Sequence, residues 1–345
     1  MVSRRVRSLL SCCLALAILA GLLPLLVGCS KRGTAFSDPA LETAVREAIG
    51  TTSGHIDQSD LSNLTSLDAA GRGINDLGGL ERLTNLTELY LGDNQISDLS
   101  PVSSLSNPTI LSLYSNRIVD LSPLSGLNGL GELYLEGNQI GDLSPISALS
   151  GLTLLNVEGN QVSDVSPLAG LTNLTYLSCP DNDVGDLLPL SAMSRLEQLD
   201  LRDNRIADLQ PLSGLGSLVA LYLADNRVSD LRPLSGLRNL GGLGLENNNV
   251  GDLSALSALT KLTSLELQDN QISDLSPLSE LVHLTWLNLE SNQIASIQPL
   301  VRNPNMAPKD LLNLRDNPLD DNSINTCIPA LEGRGVEVLW GPIEE

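Results

Sequence analysis

The sequence repeats itself every 22 residues, and this period constrains the fold more than any other feature. A degenerate first unit has Arg72 in the place of a recurring asparagine, and a last unit has Asn317 there after three extra residues. Periods of about 20 to 50 residues mark repeat architectures, in which each unit contacts only its neighbours. The chain is therefore expected to grow along one axis as a solenoid. The regular asparagines are Asn94, Asn116, Asn138, Asn160, Asn182, Asn204, Asn226, Asn248, Asn270 and Asn292.

Each unit follows the pattern L-x-x-L-x-L-x-x-N-x-I-x-D-L-x-P-L-x-x-L, as in residues 86–105. Leu89 and Leu91 flank Tyr90, and this alternation predicts a short strand with one buried face. After the asparagine the chain is predicted to turn, and the Ser-Pro pair that follows is predicted to begin a short helical turn. One unit cannot bury its own leucines, but a stack of units forms a continuous core.

The asparagine and aspartate columns have a structural explanation. A buried backbone group at a turn is costly unless it is paired, and an asparagine amide can donate and accept at once. The aspartates are predicted to accept backbone N–H groups of the turn that follows them. Neither column is expected to be a functional site. The aspartates are Asp98, Asp120, Asp142, Asp164, Asp186, Asp208, Asp230, Asp252 and Asp274.

This repeat resembles the bacterial leucine-rich-repeat family, specifically the 22-residue class typified by internalins. The resemblance covers residues from about 36 to 340. It implies an α/β solenoid, a horseshoe with parallel β-strands on the concave face and short 3₁₀ turns on the convex face. It also implies that a protein ligand binds on the concave side.

The first 28 residues have the pattern of an export signal. Three arginines precede an apolar run over residues 9–27. The run ends in Leu26-Val27-Gly28-Cys29, which resembles the bacterial lipobox and implies cleavage before Cys29 and a lipid anchor on its sulfur. The alternative is an uncleaved transmembrane helix, because about 19 apolar residues nearly span a bilayer. Pro24 and the lipobox favour a membrane-anchored lipoprotein of the cell envelope.

Helical caps are predicted at both ends of the solenoid, because its terminal core needs covering. Asp38 is expected to begin a helix that ends at Gly50. Asp321 or Asn322 is expected to begin a second helix, followed by a strand near Val338, which makes an α/β cap. The expected segments are a signal peptide at 1–28, a tether at 29–36, an N-terminal cap at 37–63, repeats at 64–317 and a C-terminal cap at 318–345.

Composition and motifs exclude several functions. The net charge of −21 repels nucleic acid and attracts basic partners. His55 and His283 are isolated, and no motif for a nucleophile elbow, a zinc-binding helix or a phosphate loop occurs. The acidic positions beside the asparagines lack the spacing of a calcium loop. No enzyme activity, cofactor or metal is expected, and Cys179 and Cys327 are predicted to be buried free thiols.

Aromatic residues concentrate on the predicted strand face. Strand propensity alone would also place aromatic residues at the buried strand positions, where leucine, valine and Cys179 occur instead. Tyrosine and tryptophan dominate binding hot spots, so those on this face are predicted to contact a partner. They are Tyr90, Tyr134 and Tyr222 in the middle column, Tyr176 and Trp286 in the column before it, and Tyr114 in the column after it.

The same columns are acidic, which predicts a basic protein or peptide as the ligand. The chain itself is expected to be a monomer. Two alternatives remain: an envelope spacer without a specific ligand, and a carbohydrate-binding surface on which the aromatic residues stack. The acids alone are equally consistent with a role in solubility. They are Glu88, Glu132, Glu136, Glu158, Asp200, Glu246, Glu266 and Glu290, against one base, Arg202.

Overall fold

The computed structural model describes residues 36–307 and 309–342. The predicted signal peptide and Cys29, together with all but the last residue of the tether, lie outside these residues. Within the described part of the chain, no helix has the length and apolar character needed to cross a membrane.

Thirteen short strands form one parallel sheet in chain order across the described residues. Each strand pairs with the next in the same register, so that Leu89 lies opposite Leu111 and Leu111 opposite Leu133. The strands are β1 (Ser66–Asp68), β2 (Glu88–Tyr90), β3 (Ile110–Ser112), β4 (Glu132–Tyr134), β5 (Leu154–Asn156), β6 (Tyr176–Ser178), β7 (Gln198–Asp200), β8 (Ala220–Tyr222), β9 (Gly242–Gly244), β10 (Ser264–Glu266), β11 (Trp286–Asn288), β12 (Leu311–Asn313) and β13 (Glu337–Leu339). The predicted α/β solenoid is confirmed.

Short 3₁₀ turns form the wall opposite the strands. The aspartate column sets where they begin: Asp98 Oδ1 accepts the backbone N–H of Ser100 at 2.8 Å, and the later units repeat this bond. The turns are Leu80–Arg82, Ser100–Ser104, Ser122–Leu124, Ser144–Ile146, Ser166–Gly170, Leu188–Ala192, Gln210–Leu212, Arg232–Gly236, Ser254–Ala258 and Ser276–Leu278. A short helix, α3 (Gln298–Arg302), takes this place in the next unit.

The asparagine column ties each unit to the one before it. Asn94 Oδ1 accepts the N–H of Ile74 at 2.9 Å, and Asn94 Nδ2 donates to the carbonyls of Ala69 and Leu91, each at 2.9 Å. The same pattern continues to Asn317. Each amide therefore satisfies turn groups of two successive units, as predicted.

Between the two walls the leucine positions form one continuous buried core. Cys179 and Cys327 are both buried and free, as expected. Burial raises the pKa of the Cys179 thiol to about 12, with the charge of Asp200 adding to the shift. The thiol is therefore protonated at neutral pH and unreactive.

A helix closes the N-terminal end of the core. α1 (Pro39–Ala48) buries Leu41 and Val45, and it is followed by α2 (Gln58–Leu61). Asp38 Oδ1 accepts the N–H of Ala40 at 2.8 Å, and Oδ2 accepts that of Asn75 at 2.9 Å. Burial raises the pKa of Asp38, but these backbone hydrogen bonds outweigh it and lower the pKa overall. One carboxylate thus joins the cap to the first repeat.

The C-terminal cap combines a helix and a strand, as predicted. A π-helical turn (Ser323–Cys327) leads into α4 (Ile328–Glu332), and β13 then extends the sheet. The π turn was not predicted. Its first residue, Ser323, is buried and donates its hydroxyl to the carbonyl of Ala295 at 3.0 Å, and this tertiary contact has no counterpart in the sequence pattern.

Candidate ligand-binding face

The concave face consists of three columns of outward side chains on β2–β11. The first column holds the first residue of each strand, and the second column holds the last residue of each strand. The third column holds the residue two positions after the end of each strand. The structure places all eleven predicted partner-binding residues in these columns. They do not form one patch: most of the aromatic residues fall into two clusters, one on β2–β4 and one on β7–β11.

The first cluster contains tyrosines paired with glutamates of the same strand. The Tyr134 hydroxyl donates to Glu132 at 2.8 Å, and the Tyr90 hydroxyl lies 3.5 Å from Glu88. Burial, this hydrogen bond and the charge of Glu132 raise the pKa of Tyr134 to about 12. The phenols are therefore protonated and hold the carboxylates in place, while their ring faces line the surface.

The Tyr114 ring lies over Gly92 of the preceding unit. Its ring occupies the space where a side chain at position 92 would project, and Gly92 makes this possible because any Cβ there would collide with the ring. A tyrosine held in this way loses little further entropy when a partner binds, which suits it to a contact role.

Carboxylates separate the two clusters. Burial raises the pKa of Glu136, and the nearby charge of Glu158 adds to the effect. Among the described residues, one buried oxygen of Glu136 has no hydrogen-bond partner. Glu158 is exposed, and Tyr176 is partly buried on β6 between the clusters.

The second cluster surrounds a hollow of about 480 Å³. Tyr222 and Trp286 are the most exposed aromatic residues of the concave face, at 40% and 42%. Arg202 forms a two-pronged ion pair with Asp200, with Nη2–Oδ2 at 2.6 Å and Nε–Oδ1 at 2.9 Å, and its guanidinium lies 5.9 Å from the Tyr222 ring centre. Asp200, predicted to contact a partner, is therefore paired with a base of its own chain.

The strand beneath this hollow, β9, was not predicted from the sequence to be part of the site. β9 reads Gly242-Leu243-Gly244, so its two outward positions carry no side chains. Gln268, which also lines the hollow, was not singled out. The sequence does contain a signal for this part of the site, because both outward positions of one strand are glycine. Glycine weakens a strand and often marks a place where another group approaches the backbone closely.

Within the described residues, no three His, Cys, Asp or Glu side chains come together as a metal site. The arrangement offers aromatic faces, carboxylates and an amide on a broad surface. It is suited to binding.

The strand ladder, the asparagine column and the 3₁₀ wall define a leucine-rich-repeat solenoid. The family described as "Leucine Rich repeats (2 copies)" matches more than half of the chain, at residues 62–107, 109–151, 172–214, 194–236, 238–280 and 260–302. The chain belongs to the leucine-rich-repeat family. A search of the curated proteins finds no significant match.

Solved structures agree with this assignment. An internalin, InlF, of Listeria monocytogenes is 34% identical, with a TM-score of 0.84 over 90% of this chain and 92% of that chain. Internalin C2 of the same organism is 41% identical, with a TM-score of 0.60 over 61% of this chain and 94% of that chain. Leucine-rich-repeat proteins of this type are generally binding proteins rather than enzymes.

A more distant structure shares the fold alone. It is the ectodomain of the Arabidopsis thaliana receptor kinase GASSHO1/SCHENGEN3, in complex with Casparian strip integrity factor 2. The two chains are 22% identical, with a TM-score of 0.67 over 84% of this chain and 37% of that chain.

Proposed function

We propose that this chain is an exported, lipid-anchored protein of the cell envelope that binds a basic protein or peptide on its concave face. The observation that carries the proposal is the concentration of the aromatic residues there, together with carboxylates that have few basic neighbours. Solenoids of this fold commonly bind proteins, and the plant receptor ectodomain is in complex with Casparian strip integrity factor 2.

A partly buried acid beside the first cluster, Glu136, supports a ligand role over a spacer role. Keeping a partly buried carboxylate oxygen without a hydrogen-bond partner costs stability. Glu136 bears that cost in the free protein. A spacer gains nothing from such an arrangement, whereas a binding surface recovers the cost when a donor from the partner arrives.

The size of the concave face is sufficient for one protein partner. The centres of the two clusters lie about six strand spacings apart, roughly 30 Å at about 4.8 Å per strand. A standard interface buries about 800 Å² on each partner, which is comparable to a patch of this width. One domain can therefore contact both clusters at once.

A cross-linking pull-down tests the binding proposal. Replacing Tyr90, Tyr134 and Tyr222 with alanine is expected to reduce capture at least about tenfold, because truncating one hot-spot residue costs about 2 kcal/mol or more. Capture should also weaken as salt is added, since acidic and basic surfaces attract through screened charges.

The control replaces Val119 and Leu188, two exposed apolar residues outside the concave face, with alanine. Equal capture by the tyrosine variant and the control would contradict the proposal. No capture by any form would favour the spacer. Binding to a glycan array that the tyrosine variant loses would favour the carbohydrate alternative.

Lipid anchoring rests on the leader and the lipobox at Cys29. Cys29→Ser is expected to abolish labelling by a radioactive fatty acid and to leave a longer, unprocessed precursor, because the sulfur is the attachment point. Metabolic labelling and gel mobility measure both effects. Cys12→Ser, within the apolar run, is the matched control and should mature normally. Normal maturation of the Cys29 variant would rule out the lipoprotein assignment.

A further inference from the structure

The hollow of the second cluster exists because small residues lie beneath it. On β9, Gly242 and Gly244 place no side chain of their own at either outward position. A Cβ at Gly244 would lie 3.0 Å from the Glu246 Oε2 atom and 3.2 Å from the Tyr222 Cδ1 atom, and one at Gly242 would lie 3.8 Å from the Tyr222 hydroxyl oxygen. The Glu246 and Tyr222 side chains therefore lie close over the two glycines. Trp286 lines the hollow from β11. Two aromatic side chains therefore line a recess above β9.

The recess carries excess negative charge. Its one base, Arg202, is already paired with Asp200. Glu246 and Glu266 also line the recess, and neither forms an ion pair with any described residue. Burial raises the pKa of Glu246 and the charge of Glu266 adds to the shift, while the charge of Arg202 opposes it in part. A second positive charge would relieve this repulsion.

Two acceptor atoms in the recess are unused. One carboxylate oxygen of Glu246 and the side-chain carbonyl oxygen of Gln268 are buried without a hydrogen-bond partner in the part of the chain that the structure describes. Both atoms accept hydrogen bonds and neither donates while Glu246 is ionised. A group that pairs with either atom must therefore be a donor.

We propose that this recess is a subsite for one arginine or lysine side chain of the protein partner, held between Tyr222 and Trp286 with its charge against Glu246 and Glu266. Guanidinium and ammonium groups supply only donors, carry the required charge and stack on aromatic faces. The inference rests on the proposed function and deepens it, since it names the chemistry of one contact that the partner must make.

Direct titration tests the subsite without the partner. The full chain in detergent, carrying Trp340→Phe so that Trp286 is the remaining tryptophan, is titrated with N-acetyl-arginine amide while its fluorescence is recorded. The neutral isostere N-acetyl-citrulline amide is the matched probe. Arginine amide should give a saturable change, and citrulline amide should bind at least about tenfold more weakly, because hydrogen bonds to charged groups contribute about 1.5–3 kcal/mol. Equal binding of the two probes would overturn the proposal.

Two substitutions locate the effect in the recess. Glu246→Gln and Glu266→Gln keep the side-chain shape and remove the charge, and each should weaken binding of arginine amide at least about tenfold. Glu158→Gln is the control, because Glu158 lies in the same column as Glu246 but outside the recess. Equal weakening by all three variants would show a diffuse charge effect and would overturn the subsite. Circular dichroism establishes that each variant is folded.

The pull-down and the titration together distinguish a wrong subsite from a wrong proposed function. If the tyrosine variant loses the partner while the Glu246 variant keeps it and arginine amide does not bind, concave-face binding stands and the subsite is wrong. If arginine amide binds but the tyrosine variant captures the partner normally, the recess binds cations while the partner docks elsewhere.

Discussion

Replacing Asn204 with alanine is expected to lower the free energy of unfolding by about 3 kcal/mol, because more than one buried backbone group loses its partner. Asn204 Oδ1 accepts the N–H of Val184 at 2.8 Å, and Nδ2 donates to the carbonyl of Cys179 at 2.9 Å. An alanine methyl group can replace neither bond, and the site is too enclosed for bulk water to do so.

Urea unfolding followed by circular dichroism measures this change. Asn128→Ala is the matched control, since Asn128 is exposed in a convex-side turn, and substitutions at such sites usually change stability by no more than about 0.5 kcal/mol. An Asn204 variant as stable as the control would mean that the amide column does not hold the units together.

Leu199→Ala is expected to cost about 2–5 kcal/mol, because it leaves a cavity in a core position that packs against both neighbouring units. Leu199 is the central residue of β7, is 0% exposed, and pairs with Leu177 on one side and Leu221 on the other. The substitution therefore weakens the packing of the β7 unit against both of its neighbours.

The matched control is Leu188→Ala, at a leucine that is 64% exposed. Hydrogen exchange adds a spatial test, since stability in a repeat array is close to a sum of unit and nearest-neighbour terms. Amides of β6, β7 and β8 should exchange faster in the Leu199 variant, while those of β2 and β12 should change less. Uniform acceleration along the whole chain would instead indicate a single global unfolding unit.

The sequence was sufficient to predict the repeat, the strand and turn positions and the asparagine bonds. These features follow from local periodicity: the period of 22 residues fixes both the buried leucines and the register. The π turn at Ser323 was not predictable, because its hydrogen bond to Ala295 joins residues that no repeat pattern relates.

The candidate site was predictable only in part. The residues that point outward from the strands were predicted correctly, since alternation along a strand decides which side chains point outward. The grouping into two clusters and the pairing of Asp200 with Arg202 were missed, because both depend on side-chain directions. The recess above Gly242 and Gly244 was not predicted, because it depends on two residues without side chains and on the directions of the side chains around them.

The constant register of the strands has a consequence for how such proteins evolve. A duplication or deletion of one whole 22-residue unit preserves every type of contact, because the new neighbours meet in the same alignment as the old ones. Inserting a unit between β4 and β7 would separate the two clusters by about 4.8 Å more and leave each cluster intact. The genome can therefore adjust the distance between two ligand contacts in fixed steps, independently of the chemistry at either one.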